Sequence, residues 1–360
     1  MANGRYQLHG LKLSYFTGKL EGYFRAKGVP FDFIEMDRAD FLACANATGI
    51  AQMPQVQTPD GTWLTDTTAI IAQFEQTFEG PAFSPSTPVA KFFSLLLEDL
   101  FDEWLWRPAL YYRWVPKEDM RLLSHQAART ILRDVNLPQR LRQQFIKSRQ
   151  KKVYLDQDGV TAATAPAIEK LFHGVLEVLE PIFANRPYLL GDHPCEADFG
   201  LFGPFFRHFS HDPTPAGIMR ETAPNTLLWT ARLWAAQPGD FAAVPRVADL
   251  PEDLAPLIDM VAADYLPYLS ANAAAYGGQA KTVSYRQGGV DWTVPVSPYR
   301  VECLNVLKSL FAALDPRDQT AAARALGEPA ASLLGEPTSQ LRKIPERSKP
   351  TDRLWQNGPL

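Results

Sequence analysis

Two short stretches carry residue types that could hold a small polar ligand: Gln52-Met53-Pro54 and Thr65-Asp66-Thr67. Between them lie Gln55-Val56-Gln57-Thr58, Pro59-Asp60-Gly61 and Thr62-Trp63-Leu64. That order predicts two short antiparallel strands around a Pro-Asp-Gly turn, followed by a helix. Thr65 reads as the helix N-cap, with Asp66 and Thr67 in the first turn. Ile70, Ile71, Phe74 and Phe78 form the apolar face. Free N–H groups and a hydroxyl at a helix start suit a carboxylate, and an aspartate beside them suits an ammonium. An α-amino acid end carries both groups. Pro54 cannot donate to a ladder, so it belongs at a strand's first residue or at an edge, where it can be cis. A cis bond there turns the Met53 N–H and C=O out of the sheet.

The elements that must position these residues are legible upstream. Tyr6-Gln7-Leu8-His9 reads as a strand broken by Gly10. Phe16, Leu20, Tyr23 and Phe24 recur at helical spacing, and Lys27, Gly28 and Pro30 mark the stop. Phe31–Met36 alternates as a second strand, and a short helical piece follows around Ala39–Ala47. The order β-α-β-α-β-β-α closes near Phe78. Residues 5–78, with the two polar stretches in this order, resemble the glutathione-binding half of the glutathione transferase superfamily, a thioredoxin-like α/β domain.

The resemblance implies roles. Met53, through its backbone, and Pro54 would hold the cysteinyl part of glutathione. Asp66 and Thr67 would hold the γ-glutamyl end, where the family usually shows Glu-Ser or Asp-Ser. The family places a catalytic Ser or Cys at the start of the first helix, which here is Ser14 in Ser14-Tyr15-Phe16-Thr17. Tyr15 and Thr17 are the alternative hydroxyls, and plain helix capping is the other reading of Ser14. The thiolate is the nucleophile, and a hydroxyl donor at the positive end of a helix favours that anion. Without a cysteine there, disulfide-forming chemistry is disfavoured.

Pro and Ser crowd residues 81–88, which reads as a linker. Ser86 or Thr87 then caps a long helix through Phe92, Phe93, Leu96, Leu100 and Trp104 to about Trp114, kinked at Pro108. Trp104, Trp106, Tyr111, Tyr112 and Trp114 cluster at its end. By the resemblance this helix borders an apolar second-substrate pocket, which Trp104, Tyr111, Tyr112 and Trp114 would line; core packing is the alternative. The basic stretch Arg133–Lys152 reads as a solvated helix face. Cys195-Glu196-Ala197-Asp198 resembles the family's capping box, with a thiol in place of the hydroxyl. His208 and His211 lack a third ligand at recognised spacing, so no metal is expected.

Beyond about residue 275 the resemblance stops. Val283 to Val296 reads as a hairpin around Gly288-Gly289, with helices at about Val301–Leu314 and Asp318–Leu326 and a loose tail from Glu336. The expected division is 1–80, a linker 81–88, an all-α domain 89–275, an extension 276–335 and the tail 336–360. The chain has 360 residues, 46% hydrophobic and 21% charged, with net charge −4. That offers no electrostatic case for nucleic acid or an anionic membrane. No run approaches a membrane span, and the N-terminus shows no basic-then-apolar signal. Cys44, Cys195 and Cys303 lie far apart, which favours a reducing cytoplasm over a disulfide framework.

The resemblance implies a cytoplasmic, homodimeric, serine-type glutathione transferase in detoxification, joining glutathione to an apolar electrophile. A non-catalytic binding module on the same fold, and a glutathione-dependent lyase or isomerase, are the rival readings.

Overall fold

The structure is a computed structural model that describes residues 4–338. Its N-terminal unit is β1 (Tyr6–Gly10), α1 (Tyr15–Lys27), β2 (Phe31–Glu35), α2 (Arg38–Thr48), β3 (Gln55–Gln57), β4 (Trp63–Thr65) and α3 (Thr67–Thr77). The sheet order is β2-β1-β3-β4, with β1 and β2 parallel and the other pairs antiparallel. This is the expected thioredoxin-like arrangement. Leu8 and Val56 pair at its centre and are fully buried, as are Leu20 and Phe24 of α1. Phe24 meets Phe74 of α3 with ring centroids 5.1 Å apart.

The register decides which residues share an end of the sheet. His9 pairs with Gln55, and Gln55 pairs with Thr65. The C-terminal end of β1, Pro54 and Asp66 therefore meet at one end of the sheet, beside the loop that leads to α1.

One sequence expectation fails here. Thr65 is not the α3 cap; it is the last residue of β4. Asp66 is the N-cap, at φ 71°, and its Oδ1 accepts from the N–H of Thr68 at 3.0 Å and of Ala69 at 3.4 Å. The ladder bond to Gln55 holds Thr65 extended, and a carboxylate is the stronger acceptor for orphan helix N–H groups.

A mostly helical region follows: α4 (Pro88–Trp104), α5 (Trp106–Trp114), α6 (Lys117–Thr130), α7 (Gln139–Gln150), α8 (Ala165–Asn185), α9 (Glu196–Pro204), α10 (Pro213–Thr222), α11 (Pro224–Ala235), α12 (Ala255–Met260) and α13 (Leu266–Gly277). The single kinked helix expected through Trp114 is two helices broken at Leu105. Pro108 has no N–H for the Trp104 carbonyl, so the ladder opens one turn before the proline. Neither Ser86 nor Thr87 caps α4 with its side chain; their hydroxyls donate to the carbonyls of Val247 and Ala248. In the basic stretch, Arg133 holds the end of β2 by donating to the Glu35 carbonyl at 2.8 Å.

Helix α9 is the buried axis, packed against both α1 and α4. A Cβ on Gly200 would stand 2.9 Å from the Glu98 backbone, so glycine permits the close α9–α4 approach. Cys195 is the α9 N-cap as expected. Its thiol donates to Asp198 Oδ2 at 3.4 Å, and its N–H donates to the same oxygen at 3.1 Å. Asp198 Oδ1 accepts from Leu189 N–H at 2.9 Å and from the Trp229 indole at 3.2 Å. Burial nonetheless pushes the Asp198 carboxyl up to about 6.

The extension adds β5 (Thr282–Gln287), β6 (Val290–Pro295), α14 (Pro298–Ala312), α15 (Pro316–Leu326) and α16 (Glu328–Gly335). Gly288 and Gly289 sit at φ 58° and 79°, the left-handed pair that a two-residue hairpin turn requires. Arg107 of α5, 1% exposed, is ringed by Trp104, Tyr268, Tyr285 and Trp292, its guanidinium carbon 4.5–5.6 Å from their centroids. These cation–π contacts fasten the hairpin to the helical region. Helix α16 was not anticipated, and most of the expected tail, residues 339–360, lies outside the described residues.

The cap chemistry yields a stability prediction. A serine at position 195 can accept from the α9 N–H groups better than a thiol does. Cys195→Ser is expected to gain about 0.5–1 kcal/mol. A denaturant midpoint that stays put or falls would show that the thiol is held for packing.

Candidate functional site

Ser14 caps α1, its Oγ accepting from Thr17 N–H at 3.4 Å. The loop before it is clamped from the helical region. Arg113 of α5 donates to the Leu13 carbonyl and pairs bidentately with Asp212, at 2.7 and 2.9 Å. Burial alone would raise the Asp212 carboxyl, but Arg113 and the His211 hydrogen bond hold it below its ordinary range. The three candidate hydroxyls differ in environment. Ser14 is partly exposed. Tyr15 is 1% exposed and donates to the Phe101 carbonyl, while Thr17 is fully buried.

The Met53–Pro54 peptide bond is cis. Pro54 is buried and Met53 is partly exposed. Asp66 is exposed at the start of α3, and Thr67 beside it is 6% exposed. The structure therefore brings Pro54, Asp66 and the loop before Ser14 to one sheet end.

Sequence reasoning missed Tyr299. This residue, in the first turn of α14, donates its hydroxyl to Asp66 Oδ2 at 3.3 Å. The sequence carried no signal for a contact spanning 233 positions. Asp66 thus has one oxygen on the helix N–H groups and the other on the extension.

Behind Asp66 lies a buried charge network. Lys19 of α1, fully buried, pairs with Glu98 and Asp102 of α4 and donates to Thr68 Oγ1 at 3.0 Å. Thr68 Oγ1 in turn donates to Glu98 at 2.6 Å. Burial would lower the Lys19 ammonium, but Asp102 and Glu98 hold it above its usual range. Burial pushes the Asp102 carboxyl up, and the nearby Glu98 charge adds to this against the pull of Lys19.

The aromatic cluster is corrected. Trp104, Tyr111, Tyr112 and Trp114 are all 9% exposed or less and serve as core rather than pocket. Trp104 meets Tyr265 and Tyr268, Tyr111 donates to Glu169, and Tyr112 packs on Phe172. The break at Leu105 separates the two helices, and α5 packs on α8. Phe16, two residues after Ser14, and Trp106 are partly exposed, with ring centroids 5.8 Å apart. Tyr154 stands edge-on to Trp106 at 5.7 Å. His208 is buried, with Nδ1 against the Ala109 carbonyl, and burial followed by the Arg113 charge pushes it down to about 3. His211 faces Asp212 at 3.0 Å.

Residues 8–82 match the family model of the glutathione S-transferase N-terminal domain. This domain belongs to the glutathione S-transferase superfamily. The match takes in the cis proline and Asp66, as well as Ser14. No curated protein sequence matches the chain. Solved structures of glutathione S-transferases resemble it at low identity. One from Rhodospirillum rubrum shares 17% identity, over 69% of this chain and 96% of its own, with a TM-score of 0.42. One from Methylobacterium radiotolerans, in complex with glutathione sulfonate, shares 17% over 69% and 99%, with a TM-score of 0.40. A β-etherase from Sphingobium sp. strain SYK-6 shares 18% over 66% and 99%, with a TM-score of 0.45.

The network that joins the glutathione S-transferase domain to α4 can be tested directly. Lys19→Met removes the cation from two buried carboxylates, and breaking such a pair costs about 3–5 kcal/mol. Chemical denaturation should show a loss of that size. A loss under about 1 kcal/mol would mean that the carboxylates take up protons at little cost.

Proposed function

We propose that this protein is a glutathione-dependent transferase of the serine type. One observation carries the reading: the β1–β3–β4 register gathers Pro54, Asp66 and the Ser14 loop at one end of a glutathione S-transferase domain. In this reading Asp66 takes the γ-glutamyl ammonium, and Thr67, at the start of α3, takes its carboxylate. The Met53 backbone, turned out by the cis bond to Pro54, holds the cysteinyl part. Ser14 donates to the thiolate, for which its partial exposure suits it better than Tyr15 or Thr17. Phe16, Trp106 and Tyr154 offer an apolar surface to the electrophile. Tyr299 fixes the Asp66 carboxylate from the extension. The enzyme acts as a cytosolic homodimer in detoxification.

A second reading has its own support. Both Asp66 oxygens already accept hydrogen bonds, Oδ2 from Tyr299. A non-catalytic module in which the extension fills the γ-glutamyl position would look the same.

Glutathione titration by calorimetry separates the two. The parent chain is expected to bind, and Asp66→Ala to weaken binding by about ten- to hundredfold, the equivalent of about 1.5–3 kcal/mol for a charged partner. A parent chain that does not bind, or an Asp66→Ala variant that binds as well, rules out the assignment.

Ser14 is tested through the bound thiol. Ser14→Ala should move the thiol titration of bound glutathione up by about one to two pH units, with little change in affinity. The thiolate absorbance followed against pH reads this. An unchanged titration in Ser14→Ala, with a rise in Tyr15→Phe or Thr17→Val, transfers the role within the loop. No change in any of the three favours the non-catalytic module.

A further inference from the structure

We infer that His9, Asp40 and Cys44 form a zinc site on the α2 face of the N-terminal sheet, outside the glutathione-binding positions. One ligating atom from each of the three lies within 4.8 Å of the other two. His9 Nδ1 is 2.9 and 3.2 Å from the two Asp40 oxygens, and Cys44 Sγ is 4.0 Å from Asp40 Oδ2. Donors about 2.0–2.3 Å from a tetrahedral zinc stand roughly 3.3–3.6 Å from one another. The His9–Asp40 and Asp40–Cys44 separations straddle that range, and His9 and Cys44 lie within 4.8 Å of each other.

The elements explain the convergence. His9 alternates with the core residue Leu8 along β1, so it projects from the opposite face of the sheet. Asp40 and Cys44 stand one turn apart on α2 and share one side of it. β1 is held between β2 and β3, which fixes His9. His9 is 7% exposed and Cys44 1%, while the Asp40 side chain keeps 26% exposure and leaves a way in for an ion.

A second observation points to a missing partner. His9 Nε2, the ring nitrogen that does not face Asp40, is buried and bonds to nothing, and an ion on Nδ1 leaves it so. Gln55, 1% exposed, is the direct cross-strand partner of His9, so the two side chains share a face. Its Oε1 is also buried and unpartnered. Orphaned buried polar atoms are costly in residues that serve only packing. With the ion in place, a metal-bound water in the fourth position could donate to the Gln55 oxygen.

The mixed sulfur, nitrogen and oxygen donor set selects zinc over calcium or magnesium, which take oxygen ligands. Binding replaces the Cys44 S–H bond with a sulfur–zinc bond and releases the proton to solvent. Nothing in the site changes oxidation state.

The test uses the full chain, reduced, stripped with a chelator and free of glutathione. Zinc titrated by calorimetry should bind at one ion per chain, with proton release. Cobalt(II) in its place should give a thiolate-to-cobalt charge-transfer band. Cys44→Ala should abolish that band and weaken zinc binding by at least about tenfold, the scale expected when a metal site loses support. Cys303→Ala, at a buried thiol elsewhere, should leave both unchanged. Should Cys44→Ala fail to fold, Asp40→Asn at the partly exposed ligand is expected to weaken zinc binding comparably. The inference is overturned if zinc binds below one per chain, if no charge-transfer band appears, or if Asp40→Asn and Cys44→Ala bind as the parent does. The titration involves no glutathione, so its outcome is independent of the transferase reading.

Discussion

The site depends on how helix α1 is held, and two buried charged clusters hold it. Lys19, within α1, is locked to Glu98 and Asp102 of α4. Arg113, locked to Asp212, grips the carbonyl of Leu13 just ahead of the helix. Each cluster takes charges out of water, which is favourable only when the geometry satisfies nearly every donor and acceptor. Such contacts specify one arrangement more than they add stability. A slip of α1 by a fraction of a turn would strand two carboxylates in the core. The Ser14 hydroxyl therefore sits on a helix end whose position is set from the helical region.

The same logic applies at Asp66. Its carboxylate caps α3 through one oxygen and meets Tyr299 through the other. Tyr299 is held near the domain surface by its neighbour Arg300, which pairs with Glu103 and Asp158. The extension is thus tied by buried charge to α4 and to the segment after α7. One side chain from it reaches the N-terminal domain. An appendage outside the superfamily resemblance thus touches a candidate binding residue.

Local chemistry in the sequence determined a good deal. The Gly288-Gly289 turn, the α1 stop at Gly28 and the Cys195–Asp198 box rest on contacts within a few residues, and residue type alone specifies these. The succession of strands and helices along the chain followed from alternation, periodicity and turn residues, and the cap at Ser14 from its place before an apolar periodicity. Pro54 cannot donate to a ladder, which pointed to a strand's first residue or an edge; it stands, with a cis bond, just ahead of β3, a strand inside the sheet.

Tertiary structure decided the rest. Thr65 and Asp66 are both good caps, and only the ladder bond from Gln55 gives the role to Asp66. The aromatic run from Trp104 to Trp114 looked the same for a pocket as for a core. Burial against α8 and α13 made it core, because aromatic residue type records area to bury and not the partner that buries it. Tyr299 on Asp66, Arg113 on Leu13 and His9 beside Asp40 join residues from 31 to 233 positions apart. No periodicity or cap encodes such pairs, since they arise only when separate elements pack.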